Sequence, residues 1–209
     1  FGKKVTDIYD SEIALVDRHI GQLLQTLSYD KALWNNTVVI ITADHGEEFR
    51  EHGSKGHGSN CHRETMHVPL LVRLPGVKGR VVDSHVALMD VVPTILEVVG
   101  TTDAPRDLGG QSLLVPRLAP DQLSARLIPC VATKQGRSKA KPYFKHAVRT
   151  NTHLLVEHRT AKHIELFNVA TDPEEKRNLS SDPALGTIRD HLLKSIRANE
   201  GNLHKFLLK

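Results

Sequence analysis

The run Thr37-Val38-Val39-Ile40-Ile41-Thr42-Ala43-Asp44-His45-Gly46-Glu47-Glu48 decides how this chain is read. Its first six residues are apolar or β-branched without a break, which predicts a strand buried on both faces and paired in parallel. Asp44 and His45 then fall just past the strand's carboxyl end, where open α/β sheets bind their ligands. A carboxylate oxygen beside an imidazole nitrogen suits a divalent cation, and further oxygen ligands favour calcium, magnesium or manganese. Gly46 lets the backbone bend closely around such a site. Taken alone, Asp44 reads equally well as a strand-end cap.

Upstream, Ile13, Val16, Ile20, Leu23, Leu24 and Leu27 recur at helical spacing, which predicts an amphipathic helix over residues 6–28. A helix running into a buried strand is one step of a layered α/β fold. Downstream comes a long polar loop, Asp44 to His67. Val68 to Leu74 reads as the next strand, with Pro69 near its start, where a missing N–H is tolerated. A short strand is expected within Val81 to Leu88. Asp90 then caps a helix that runs to Val99, with Pro93 in its first turn and Gly100 just past its end. Residues 101–122 read as an irregular connection, and Leu123 to Val131 as a further strand. Three alternating runs, Tyr143 to Arg149, His153 to Glu157 and His163 to Phe167, predict a small antiparallel sheet. A last helix over residues 183–199 carries Leu185, Ile188, Leu192, Leu193 and Ile196 on one face.

The polar loop holds five of the chain's 13 histidines, at His45, His52, His57, His62 and His67. Cys61 lies among them and reads either as a soft ligand or as a plain thiol. With Cys130 it makes only two cysteines, too few and too distant for a disulfide framework. The 209 residues are 39% hydrophobic and 25% charged, enough for a sizeable core. The net charge of +4 is spread out, except for the cluster Lys134, Arg137, Lys139, Lys141 and Lys145, a solvated loop or an anion-attracting surface. Aromatic residues are only 4%, and nothing resembles a nucleic-acid motif, so a base-stacking platform is excluded. No run approaches the ~18 apolar residues of a membrane span.

These segments, in this order, resemble the sulfatase group of the alkaline phosphatase superfamily. The pieces are Tyr9-Asp10-Ser11-Glu12-Ile13, the strand with Asp44-His45-Gly46, Glu51-His52-Gly53, Gly56-His57-Gly58 and His67-Val68-Pro69-Leu70-Leu71-Val72-Arg73. Asp90-Val91-Val92-Pro93-Thr94 follows, then Glu165-Leu166-Phe167-Asn168 with Asp172-Pro173-Glu174-Glu175 and Asn178-Leu179. The resemblance implies an α/β fold: part of an alkaline-phosphatase-like layered sheet with helices on both faces, plus a small C-terminal antiparallel sheet packed with a helix. Residues 1–122 correspond to the C-terminal portion of the α/β domain and residues 123–209 to a small α+β subdomain.

The resemblance also implies roles. Asp44 and His45 match the metal ligands, with Ca2+ the expected ion and Mg2+ or Mn2+ as alternatives. His57 stands where many members have a lysine that contacts the sulfate, and Lys55 is its rival for that place. A histidine there donates a hydrogen bond to developing negative charge or protonates the leaving alcohol. His52, His62 and His67 read as structural or surface residues, and Glu47 and Glu48 as supports rather than ligands.

The family's paired aspartates and its Cys- or Ser-x-Pro-x-Arg nucleophile motif, the source of formylglycine, have no counterpart here. They are expected in an N-terminal half, on the same protein or on another chain. Without it, an open sheet edge predicts poor solubility. The expected activity is metal-dependent hydrolysis of a sulfuric ester, with an anionic sulfate or phosphate ester as substrate. The alternatives are a phosphodiesterase, phosphonate hydrolase or phosphoglycerol transferase of the same superfamily, or a non-catalytic binding or structural fragment. The family points to a periplasmic or extracytoplasmic location.

Overall fold

The computed structural model describes residues 4–101, 108–114, 126–134 and 143–207. The chain divides into two compact units: Phe1–Ala43 with Val68–Val81, and Asp44–His67 with Val82–Lys209.

In the first unit, helix α1 spans Val5–Tyr29. The Asp7 carboxylate accepts the Lys4 backbone N–H (3.0 Å) and so satisfies a donor at the helix start. Asp30 ends α1 and begins α2 (Lys31–Asn35), its carboxylate accepting from the N–H groups of Ala32 and Leu33. The predicted apolar stripe of α1 exists, but Ile13, Val16 and Leu23 on it are exposed.

Strand β1 (Val39–Thr42) pairs with the strand Leu70–Arg73, and the pairing is antiparallel, Val39 opposite Arg73 and Thr42 opposite Leu70. The expected parallel pairing is therefore corrected. A parallel neighbour needs a crossover that returns the chain to the same end of the sheet. Residues 43–69 contain only short elements, and the chain instead comes back along β1 in the opposite direction. Arg73 fastens the pair: its guanidinium donates to the Trp34 and Thr37 carbonyls (3.0 and 2.7 Å) and lies 3.7 Å over the Trp34 ring.

The second unit opens with the histidine loop, which carries the two-residue strands β2 (Glu48–Phe49) and β3 (Lys55–Gly56) and the short helix α3 (Arg63–Met66). The strand Leu70–Arg73 is β4 in chain order. The strand expected within Val81 to Leu88 does not form. His85 there bonds instead to the Asn151 side chain and the Thr150 carbonyl, so the segment is held by single anchors rather than a ladder. A 3-10 turn (Leu88–Asp90) leads into α4 (Val91–Val98). Gly100 (φ +68°) bonds to the Glu97 carbonyl and Thr101 to the Leu96 carbonyl, a Schellman stop that needs the left-handed residue glycine supplies. Asp90 is fully buried. It accepts from the Ala87 and Gln111 N–H groups and takes both arms of Arg126 at 2.7 Å, and so caps the 3-10 turn rather than α4.

Strands β5 (Ile128–Lys134), β6 (Tyr143–Arg149), β7 (His153–His158) and β8 (His163–Asn168) form the expected antiparallel sheet, in chain order. Residues 123–125 of the predicted Leu123–Val131 strand, and Arg137, Lys139 and Lys141 of the basic cluster, lie outside the described residues. Both sheet faces are covered. On one, Val148, Leu155 and Leu166 pack against Leu192 and Ile196 of α5 (Gly186–Leu207). On the other, Ala147, Leu154, Val156 and Phe167 pack against Cys61 of the histidine loop. Cys61 is thus a buried thiol in an apolar core, and the sheet holds the loop in place.

Candidate metal and anion site

Asp44 follows β1 in the chain with only Ala43 between them, and both Asp44 and His45 are exposed. The Asp44 carboxylate accepts the His45 backbone N–H (3.0 Å), and its other oxygen lies 3.6 Å from His45 Nε2. His45 Nδ1 lies 3.0 Å from the Gly46 carbonyl. A carbonyl only accepts, so Nδ1 carries a proton there, and Nε2, beside the Asp44 oxygen, is the ring nitrogen left to bind an ion. Two ligands about 2.4 Å from one ion at near right angles stand roughly 3.4 Å apart, so this pair fits a divalent cation. Two donors do not complete a shell of six or more, so further oxygens must come from elsewhere.

Gly46 is required for this placement. Its N–H bonds to the Thr65 carbonyl (2.8 Å), and a Cβ at this position would run into the Glu64 carbonyl oxygen. The His57 ring stacks on His45, centroids 4.1 Å apart, and its Nδ1 donates to the Glu47 carboxylate at 3.0 Å. Asp44, His45, Glu47 and His57 therefore form one open cluster. Lys55 lies on β3 opposite Phe49, exposed and without an ion-pair partner among the described residues.

The same loop also carries a buried network that sequence reasoning missed. Glu175, in the turn after Pro173, is the hub. Its carboxylate accepts from His62 Nδ1 (3.1 Å), the Arg63 N–H (3.0 Å) and Arg149 (2.7 Å). Its own carbonyl faces His52 Nε2 at 3.0 Å, and His52 Nδ1 meets Glu64 at 2.9 Å. The His52 and His62 rings stack at 3.9 Å. Glu48, fully buried, accepts from the His52 and Ser54 N–H groups and from the Asn60 amide. His62 Nε2 lies 3.4 Å from Glu165, which also accepts from His158 at 2.8 Å.

Burial alone would lower the His62 pKa, but hydrogen bonds to Glu165 and Glu175 outweigh it and raise the value to about 9. Burial would raise Glu165, yet the bonds from His158 and His62 hold it well below the usual carboxylate range. Glu175 is likewise held low, by His62 and Arg149 against burial. Glu175 adopts φ +55°, an uncommon conformation for a residue with a Cβ, and its three side-chain partners fix it there. The signal for this hub was the Asp172-Pro173-Glu174-Glu175 turn itself. No local pattern tells which of its carboxylates points inward.

This architecture is that of the alkaline-phosphatase-like sulfatases. A solved 2-O GAG sulfatase superposes with a TM-score of 0.71 at 24% identity, over 90% of this chain and 40% of that one. The chain belongs to the sulfatase family: the family model described as N-sulphoglucosamine sulphohydrolase, C-terminal, matches residues 57–202, and the Sulfatase model matches residues 3–101. Among curated relatives, Arylsulfatase K of Bos taurus is 28% identical over 201 residues, covering 93% of this chain. The match takes in 37% of the bovine protein, so the chain spans well under half the length of the relatives it matches. A phosphonate monoester hydrolase from Silicibacter pomeroyi superposes with a TM-score of 0.70 at 25% identity, covering 90% of this chain and 39% of that one. The family carries a divalent metal.

Proposed function

We propose that this chain supplies the Asp-His half of the metal site and a proton-handling group in a metal-dependent sulfuric-ester hydrolase. One observation carries the reading most: His45 Nε2, the ring nitrogen left open by the Nδ1 contact with the Gly46 carbonyl, lies 3.6 Å from an Asp44 oxygen. The likeness to Arylsulfatase K supports the sulfate ester as substrate class. Asp44 and His45 would hold the ion, and the carboxylate favours a hard cation, Ca2+ ahead of Mg2+ or Mn2+. When bound, a divalent cation would supply positive charge for the ester anion and for the attacking nucleophile.

Within this chain, Glu47 and His57 handle the proton. Glu47 engages His57 at Nδ1 and fixes the ring against His45. That leaves Nε2 as the atom that meets the anion or hands a proton to the leaving alcohol. Lys55, two residues away on β3, adds positive charge near the same loop. The nucleophile and the remaining ligands come from an N-terminal half, on the same polypeptide or on a partner chain.

The second reading is hydrolysis of a phosphonate or phosphate ester at the same site, favoured by the likeness to the Silicibacter pomeroyi phosphonate monoester hydrolase. Turnover of an aryl sulfate against an aryl phosphonate by the full-length protein separates the two. A preference for the sulfate supports the main reading, and a preference for the phosphonate replaces it.

A further inference from the structure

The strand pairing of the C-terminal sheet sets His158 directly opposite His163, either side of the β7–β8 turn. Side chains alternate along a strand, so Glu165, two residues beyond His163, shares their face. The two imidazoles stack at 3.9 Å with their planes 23° apart. Glu165 lies across their ends, one carboxylate oxygen 2.8 Å from His158 Nε2 and the other 3.9 Å from His163 Nε2. One ligand atom from each residue falls within 4.8 Å of the others.

We propose that His158, His163 and Glu165 form a separate metal site that takes a borderline-soft transition-metal ion, Zn2+ foremost. Two imidazoles and one carboxylate, with a water completing a tetrahedron, make a zinc donor set rather than a calcium one. Tetrahedral ligands about 2.1 Å from zinc stand roughly 3.4 Å apart, and an imidazole binds through the lone pair in its ring plane, so loading requires a rotation of the His163 ring out of its stack on His158. His163 is half exposed and free to supply it, while His158 is buried and fixed. Behind the site, His62 Nε2 at 3.4 Å orients the Glu165 carboxylate, the supporting contact that metal ligands require. Lys145 lies opposite His158 on β6, on the side away from His163.

The deeper group His52, His62 and Glu175 offers no such opening. Both ring nitrogens of His52 and of His62 already face oxygen partners. The surface site requires nothing of the Asp44 cluster, so it stands or falls independently of the ester chemistry.

The test uses the full-length protein, its Asp44→Ala variant and its His163→Ala variant. His163 is exposed, so its removal leaves the metal-free melting temperature unchanged. Zn2+ is titrated in competition with a chromophoric chelator, and Co2+ is added to read its absorption. The wild type and Asp44→Ala are expected to bind Zn2+ alike, to show the intense visible bands of tetrahedral Co2+, and to melt higher with Zn2+. His163→Ala is expected to lose the Co2+ bands and to bind Zn2+ at least roughly tenfold more weakly. Equal Zn2+ affinity in the wild type and His163→Ala overturns the proposal. Loss of Zn2+ binding in Asp44→Ala also overturns it, since the ion then belongs to the other site.

Discussion

His62 Nδ1 lies 3.1 Å from the Glu175 carboxylate, both side chains buried, although 112 residues separate them in sequence. This pair ties the histidine loop to the turn that follows the C-terminal sheet. Removing one partner of a buried pair strands the other's charge, at a cost of about 3–5 kcal/mol. Glu175→Ala is expected to lower unfolding free energy by that amount in urea titration. A loss within about 1 kcal/mol, the scale of a surface pair, would show the contact to be incidental.

The same network sets a pH dependence. His62 is raised from 6.5 to about 9, so its stabilisation is complete below pH 6.5 and is lost as pH rises through about 9. Glu165 and Glu175 are depressed from 4.5, so their contribution is complete above pH 4.5 and is lost as pH falls through their lower folded values. Stability from the network should plateau between pH 4.5 and 6.5 and decline toward pH 9. Urea midpoints across this range read it directly. The alkaline decline should flatten in His62→Ala, and an unchanged slope there would assign it to other groups.

Gly46→Ala places a methyl against the Glu64 carbonyl and strains the Gly46–Thr65 hydrogen bond. Overpacking of this kind costs about 1–3 kcal/mol. Because Gly46 carries the carbonyl that orients His45, the variant should also lose metal affinity, measurable by calorimetry. Unaltered metal binding would detach the His45 tautomer from the site.

His57→Ala should lower kcat of the full-length enzyme by about 10²–10⁴, the span of general acid catalysis. Glu47→Gln keeps the volume but weakens the hold on His57 Nδ1, and should shift the pH profile of kcat while leaving metal content intact. Lys55→Ala is the control. If it outweighs His57→Ala, Lys55 takes the anion-facing role.

Much of the fold was legible because local patterns matched local outcomes. The α1 stripe, the Schellman stop at Gly100 and the alternating runs of β6 to β8 each formed near their expected bounds. The direction of β1 was not legible: an all-apolar strand reads as parallel, but its neighbour was set by a loop too poor in structure to cross over. The Val81–Leu88 strand failed for a related reason, since alternation cannot show that His85 will anchor to Thr150. In the site, adjacency in sequence placed Asp44 beside His45, and the Gly-flanked His57 joined them. His62, Glu165 and Glu175 come together only through tertiary packing, and no spacing announces them.

Everything proposed for the site depends on Asp44 and His45 holding a divalent cation that ester hydrolysis requires. This is tested most directly by Asp44→Ala in the full-length protein, with bound metal measured by mass spectrometry alongside aryl sulfate turnover. Metal and turnover are expected to fall together while the melting temperature of the metal-free protein stays unchanged. Full turnover with undiminished metal in that variant would remove Asp44 from the site.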